Sequence, residues 1–151
     1  MGIFEKKLRV SCSQEELYAF HTDLRNLLKL TPQKSSVTLL DAIVHPKEGS
    51  TFRLRVVEKF IPMTWEIKIQ TMKKPHLLVD VALRSPFAFW RHTHRFESLE
   101  DGTSLLTDSV EYELPFGALG RVFNFLVEYE LAKLFTHRHL VTKKILEEER
   151  G

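Results

Sequence analysis

Two histidines, His92 and His94, lie in the run WRHTHRF from Trp90 to Phe96. Strict alternation sets Trp90, His92, His94 and Phe96 on one side of an extended chain and Arg91, Thr93 and Arg95 on the other. Imidazoles on an otherwise aromatic face suit three kinds of chemistry. They serve as polar groups satisfied by a structural partner, as general acids or bases facing a ligand, or as metal ligands, because His-x-His on a strand aims both rings the same way.

The following turn supplies a partner. LEDGT, Leu99 to Thr103, reads as a three-residue turn with Gly102 left-handed, a type I turn plus a G1 bulge. That register faces Phe96 with Leu106, His94 with Asp108, His92 with Val110 and Trp90 with Tyr112. A two-residue turn would instead oppose an apolar face to a charged one. A carboxylate beside His94 orients one imidazole nitrogen and raises its pKa. His92 has no such partner in this register and is the better ligand contact. His92, His94 and Asp108 are therefore the catalytic candidates, with Tyr112 or Glu58 to polarise a carbonyl or hydroxyl. A metal reading needs Asp108, His137 or His139 as third ligand. The two helical histidines point in different directions, and Thr136-His137-Arg138-His139 reads as solvated surface. Neither metal nor cofactor is expected.

These groups need a scaffold. Ile3 to Val10 reads as a strand. Ser13-Gln14-Glu15-Glu16 is a capping box, followed by helical spacing at Leu17, Phe20, Leu24, Leu27 and Leu28, with Asp23 placed to cap a second short helix. Thr31-Pro32 ends this region. Strands follow: Val37 to Val44, then Phe52, Leu54, Val56 and Phe60 alternating with charge, then Met63, Trp65, Ile67 and Ile69, then Leu77, Val79, Val81 and Leu83, then WRHTHRF, then Leu106 to Leu114. One apolar and one charged face per strand predicts an antiparallel sheet covered on one side. A helix from about Leu119 to Glu149 closes the chain; about 30 residues span roughly 45 Å, enough to cross the sheet. The fold class is α+β: a curved sheet of about seven strands gripping a long C-terminal helix, with two short helices after the first strand.

At 151 residues the chain suits one domain, residues 1–151. Twenty-two basic against twenty acidic residues leave +2, too balanced for a nucleic-acid partner. A lone cysteine, Cys12, excludes an internal disulfide and fits a cytoplasmic setting. No window suits a signal peptide or stable membrane insertion.

Three connections at one end of the sheet share a chemistry: Phe60-Ile61-Pro62-Met63, Ser85-Pro86-Phe87-Ala88-Phe89 and Leu114-Pro115-Phe116-Gly117. Each sets proline beside bulky apolar residues where a solvent loop is normally polar. They cap the end of the core, or they form an apolar rim at a cavity mouth that touches a membrane transiently. The rim residues are Ile61, Pro62, Met63, Pro86, Phe87, Pro115, Phe116 and Gly117.

PFAFWRHTHRF and GTSLLTDSVEYELPFGALG resemble the ligand-binding SRPBCC group, polyketide cyclase-like, of the START-like helix-grip superfamily. Pro86, Phe87, Trp90, His92, His94, Phe96, Gly102, Thr103, Asp108, Val110, Tyr112, Pro115, Phe116, Gly117 and Gly120 carry the resemblance, which covers most of the chain. It implies a hydrophobic cavity between sheet and helix. Phe52, Leu54, Val56, Glu58, Trp65, Ile67, Val79, Val81, Trp90, His92, His94, Phe96, Val110 and Tyr112 would face that cavity, and Phe123, Leu126 and Tyr129 would close it. Binding of a small hydrophobic molecule, such as a lipid or polyketide-like compound, for transport or sensing is the leading expectation. A cyclase or dehydratase using the cavity histidines is the second, and a protein-interaction or membrane-docking domain the third.

Overall fold

Gly102 takes φ of 81°, a left-handed value that a Cβ would strain, and the Leu99 amide donates to the Thr103 carbonyl at 2.9 Å. The flanking strands pair in the expected register, Trp90 with Tyr112, His92 with Val110, His94 with Asp108 and Phe96 with Leu106. Around this hairpin a computed structural model, which describes residues 1–32 and 35–148, builds the remaining sheet. Its elements are β1 (Gly2–Val10), α1 (Gln14–Thr22), α2 (Leu24–Lys29), β2 (Ser35–Leu39), β3 (Thr51–Glu58), β4 (Ile61–Lys73), β5 (Leu77–Arg84), β6 (Phe89–Ser98), β7 (Ser104–Glu113), α3 (Gly117–Arg121) and α4 (Asn124–Glu148). Seven antiparallel strands lie in the order β1-β7-β6-β5-β4-β3-β2.

Both short helices begin as their caps dictate. The Ser13 hydroxyl accepts from the Glu16 amide at 3.1 Å, and Asp23 Oδ1 accepts from the Arg25 amide at 3.0 Å. Each satisfies an amide that the first turn leaves without a helical partner. Leu17, Tyr18, Phe20 and Leu24 are buried beneath.

Several elements depart from expectation. β2 stops at Leu39 rather than Val44, because Asp41 takes the Arg53 amide at 2.7 Å and the Val44 carbonyl takes the Leu24 amide at 2.9 Å. Those bonds lead the chain off the sheet edge towards α2. Lys59 and Phe60 form a two-residue turn with φ of 51° and 68°, the left-handed pair that suits a tight hairpin. Phe60 thus projects outward, 98% exposed, instead of continuing the apolar face. Ile61, Pro62 and Met63 belong to β4 and pair with β3.

In β5 the face is reversed. Asp80 pairs with His92 and Leu78 with His94, so Leu78, Asp80 and Ala82 share the concave side, and Val79 and Val81 lie on the other. A register shift in β4 between Ile69 and Thr71 accompanies the change; each one-residue slip exchanges the faces. The single C-terminal helix is broken: α3 ends at Arg121, and tight three-residue bonds run from the Phe123 amide to Gly120 and from the Leu126 amide to Phe123 before α4 continues. A Cβ on Gly120 would stand 2.2 Å from the Pro115 carbonyl, so glycine lets α3 press against the end of β7. The expected end at Glu149 lies outside the described residues.

α4 covers the concave side with one stripe. Leu131 and Phe135 pack with Val110 and Tyr112, flanked by Phe4, Phe87, Trp90, Val127 and Leu134. Complete burial of side chains such as Tyr112 and Phe135 stabilises by roughly 2–3 kcal/mol each. A second cluster joins α1 to the sheet through Leu17, Tyr18, Phe52, Leu54, Ile67, Phe96 and Leu106.

Candidate functional site

The middle of the concave face carries a buried polar cluster. Asp108, 3% exposed on β7, sits among three imidazoles. His92 Nε2 donates to its Oδ1 at 2.8 Å, and His139 Nε2, from α4, donates to its Oδ2 at 2.7 Å. His94 Nδ1 lies 3.0 Å from Oδ1 without hydrogen-bond geometry, while its Nε2 donates to Asp80 Oδ2 at 3.1 Å. The His92 and His94 rings are 3.7 Å apart at their centroids, and His21 of α1 stands 5.6 Å from His94. Strand parity places His92, His94, Asp80 and Asp108 on one face, and helical spacing puts His139 one turn beyond Phe135 on the inward stripe.

The groups differ in charge by environment. Burial works to raise the Asp108 carboxyl, but hydrogen bonds from His139 and His92 and the close contact with His94 outweigh it and hold the carboxyl well below its ordinary value. Burial would depress His94, yet Asp108 and Asp80 overcome it and lift the ring to about 9, so it is charged at neutral pH. His92 is lowered, by burial first and then by the charge on His94. His21 is lowered to about 4 by burial and then by His94. Its Nδ1–H donates to the Leu17 carbonyl at 2.9 Å, which leaves Nε2 of the neutral ring as an acceptor. Burial also pushes the Arg138 guanidinium down, against the pull of Asp108 and Asp80.

Beside this cluster a cleft opens towards α2. Phe20, Leu27, Leu30 and Phe135 supply apolar walls, and His21, His92, His94, Asp108, Arg138, His139 and Thr142 supply polar ones. Its free volume is about 50 Å³, room for a few waters or for the polar end of a larger molecule. Neutral imidazoles oriented by a carboxylate are competent to accept a proton, and a charged one to give it.

As a metal centre the cluster fits poorly. Ligand atoms of Asp80, His92 and His94 lie within 4.8 Å of one another. A tetrahedral zinc ion with bonds of about 2.0 Å holds its ligands only about 3.3 Å apart. A bound cation would compete with the hydrogen bonds that His92 makes to Asp108 and His94 makes to Asp80.

Of the residues expected to meet a ligand, His92 and His94 line the cleft, with Asp108. His92, expected without a partner, holds Asp108 diagonally across the strands, a distance a ring spans readily. Phe52, Leu54, Ile67, Phe96, Val110 and Tyr112 are buried in the packed interior. The Tyr112 hydroxyl is turned to the start of α4, 3.3 Å from the Asn124 carbonyl. Val56, Trp65 and Trp90 are half-buried, and Glu58 is exposed at the end of β3. Phe123, Leu126 and Tyr129 do not close the interior; they are 49%, 48% and 63% exposed, because the inward stripe of α4 runs instead through Val127, Leu131, Phe135, His139 and Thr142. At the rim, Phe116 is 81% and Ile61 61% exposed, Pro62, Pro86 and Gly117 are exposed, and Met63 and Pro115 are half-buried. Phe87 turns inward onto Trp90, with centroids 4.8 Å apart.

Strand and helix patterning does not single out Arg138, His21 or Asp80, and it reads His139 as solvated surface, with a third metal ligand as the alternative. His139 is only 4% exposed; its four-residue spacing from Phe135 is the signal that finds it. Asp80 was hidden by the apparent apolar alternation of Val79 and Val81.

An antiparallel sheet curved about a C-terminal helix, with short helices after the first strand and a polar cluster between the layers, defines the helix-grip class. Residues 10–138 match the family of polyketide cyclases / dehydrases and lipid transport proteins, and the chain belongs to that family. No curated protein sequence matches it. Solved structures with the same fold include a Chromobacterium violaceum protein (10% identity, 97% of this chain and 99% of that one, TM-score 0.75). A START-superfamily protein from Mycobacterium smegmatis is similar at 14% identity, 97% of each chain and TM-score 0.71. A norcoclaurine synthase point mutant from Thalictrum flavum, in complex with a transition-state analogue, is similar at 12% identity, 99% of this chain, 96% of that one and TM-score 0.75. No helix among the described residues is long and apolar enough to cross a membrane.

Proposed function

We propose that the protein is a single-domain cytoplasmic carrier or sensor that binds a small hydrophobic molecule, lipid-like or polyketide-like, between the sheet and α4. The observation that carries this reading is the cleft itself, where Phe20, Leu27, Leu30 and Phe135 meet a cluster of imidazoles and carboxylates. Apolar walls ending in a few convergent polar groups are what orient an amphipathic ligand. His92, His94 and Asp108 form the polar end of the site. The aromatic group Trp65, Phe87, Trp90 and Tyr112 packs the opposite end of the same concave face. The exposed rim residues Phe60, Ile61 and Phe116 support transient contact with a membrane during ligand transfer.

A second reading is favoured by Asp108 and its imidazoles: a cyclase or dehydratase in which His92 or His139, oriented by Asp108, moves a proton to or from the bound molecule.

Native mass spectrometry of the gently purified protein, with organic extraction of bound material, tests the binding reading. A discrete apolar ligand, lost in Phe135→Ala, is the expected result. A clean apo mass with no uptake from a panel of fatty acids, sterols and aromatic polyketides would refute it. Conversion of the bound molecule on incubation would decide for the enzyme.

A further inference from the structure

Three buried polar atoms that lack a hydrogen-bond partner among the described residues belong to side chains of this one cleft: Nδ1 of His139, Nε of Arg138 and Oγ1 of Thr142. His139 is 4% and Thr142 1% exposed. Native interiors leave few such atoms, so three around one small space mark it as built for a polar guest.

The roles these atoms can play narrow the guest. His139 commits its Nε2–H to Asp108, so Nδ1 is the ring nitrogen left facing the cleft, an acceptor whenever the ring carries a single proton. Nε2 of His21 is likewise an acceptor, because Nδ1–H is committed to Leu17. The Arg138 Nε–H only donates, and the Thr142 hydroxyl does either. A guest that satisfies them must donate and accept at a single point. A hydroxyl does both. A carboxylate would accept from Arg138 and Thr142 but bring no hydrogen for the imidazoles, and it would enter the field of Asp108 and Asp80. A hydrocarbon end would leave every one of these atoms unpaired.

We propose that the cleft recognises an alcoholic or phenolic hydroxyl at the end of an apolar molecule, with Arg138 and Thr142 donating to its oxygen and His139 Nδ1 accepting its hydrogen. This assignment rests on the hydrophobic-ligand reading and names the class of ligand. The free volume of about 50 Å³ admits a hydroxyl with its nearest carbons, and Phe20, Leu27, Leu30 and Phe135 meet the apolar body that follows.

The test is a calorimetric titration of the full chain with three matched probes: 4-hexylphenol, hexylbenzene and 4-hexylbenzoate. The phenol is expected to bind at least about tenfold tighter than either of the others. Thr142→Val should cut phenol affinity severalfold and leave hexylbenzene unchanged. Because Thr142 Oγ1 has no hydrogen-bond partner among the described residues, this near-isosteric change keeps the fold. Arg138→Lys, which retains the charge but loses the Nε donor, provides an independent second variant. Equal binding of all three probes would overturn hydroxyl recognition while leaving hydrophobic binding intact. Tighter binding of the benzoate would overturn it in favour of an anion site. A phenol preference unmoved in both variants would overturn its placement in this cleft. Failure of all three probes to bind would overturn this proposal together with the reading beneath it.

Discussion

At the α3 end of the concave face, Trp65, Phe87, Trp90 and Tyr112 pack in tilted and edge-to-face pairs with ring centroids 4.8 to 6.1 Å apart. Towards α2, the same face and the same α4 enclose four imidazoles, two carboxylates and a guanidinium. The first region is held by burial of apolar area, which is non-directional and shared among many contacts. The second depends on directed bonds that converge on Asp108, so one carboxylate governs the protonation of its neighbours. Repacking can replace a lost ring contact. A lost acceptor inside the protein has no such substitute.

The sharpest way to break this comparison is Asp108→Asn, which withdraws the negative charge from His92, His94 and His139. Leaving a buried charged imidazole without its full partner costs about 3–5 kcal/mol, so urea denaturation should show a large drop in midpoint. A drop below about 1 kcal/mol would mean that Asp108 does not organise the cluster. Trp90→Ala at the aromatic end should cost less, about 2–3 kcal/mol, because the ring is only half-buried and its neighbours can close in.

The pH dependence of thermal unfolding separates the two ends further. His94 is held at about 9 against an ordinary 6.5, so its stabilisation is complete below pH 6.5 and is lost as pH rises through 9. His21 is held at about 4, so its contribution is complete above pH 6.5 and is lost as pH falls through 4. Stability should therefore peak near pH 6.5, and His94→Phe should flatten the alkaline limb. A profile unchanged between pH 6.5 and 9 in the native chain would contradict a charged His94. The smallest effect is expected at the rim. Phe116→Ser alters a residue 81% exposed and should change stability by no more than about 0.5 kcal/mol, while weakening any adsorption to phosphatidylcholine vesicles in a flotation assay.

Much of the scaffold was legible because local chemistry specifies it. Ser13 and Asp23 announce helix starts through side-chain caps, and Gly102 announces a left-handed turn that sets the β6–β7 register. From that register alone, His94 and Asp108 become neighbours. The site was legible only in part, since strand alternation constrains one strand at a time. It cannot show that the shift in β4 accompanies an inward Asp80, or that the α4 stripe runs through His139 rather than Tyr129.

The sequence by itself determined the antiparallel α+β architecture, the central hairpin and a concave face carrying His92, His94 and Asp108, because capping, turn geometry and two-residue periodicity act within a few residues. Only the tertiary structure decided which charges gather there. His21, Asp80, and the pair Arg138 and His139 come from three separate elements, α1, β5 and α4. Their placement depends on where α1 and α4 settle on the curved sheet, a matter of packing across the whole chain.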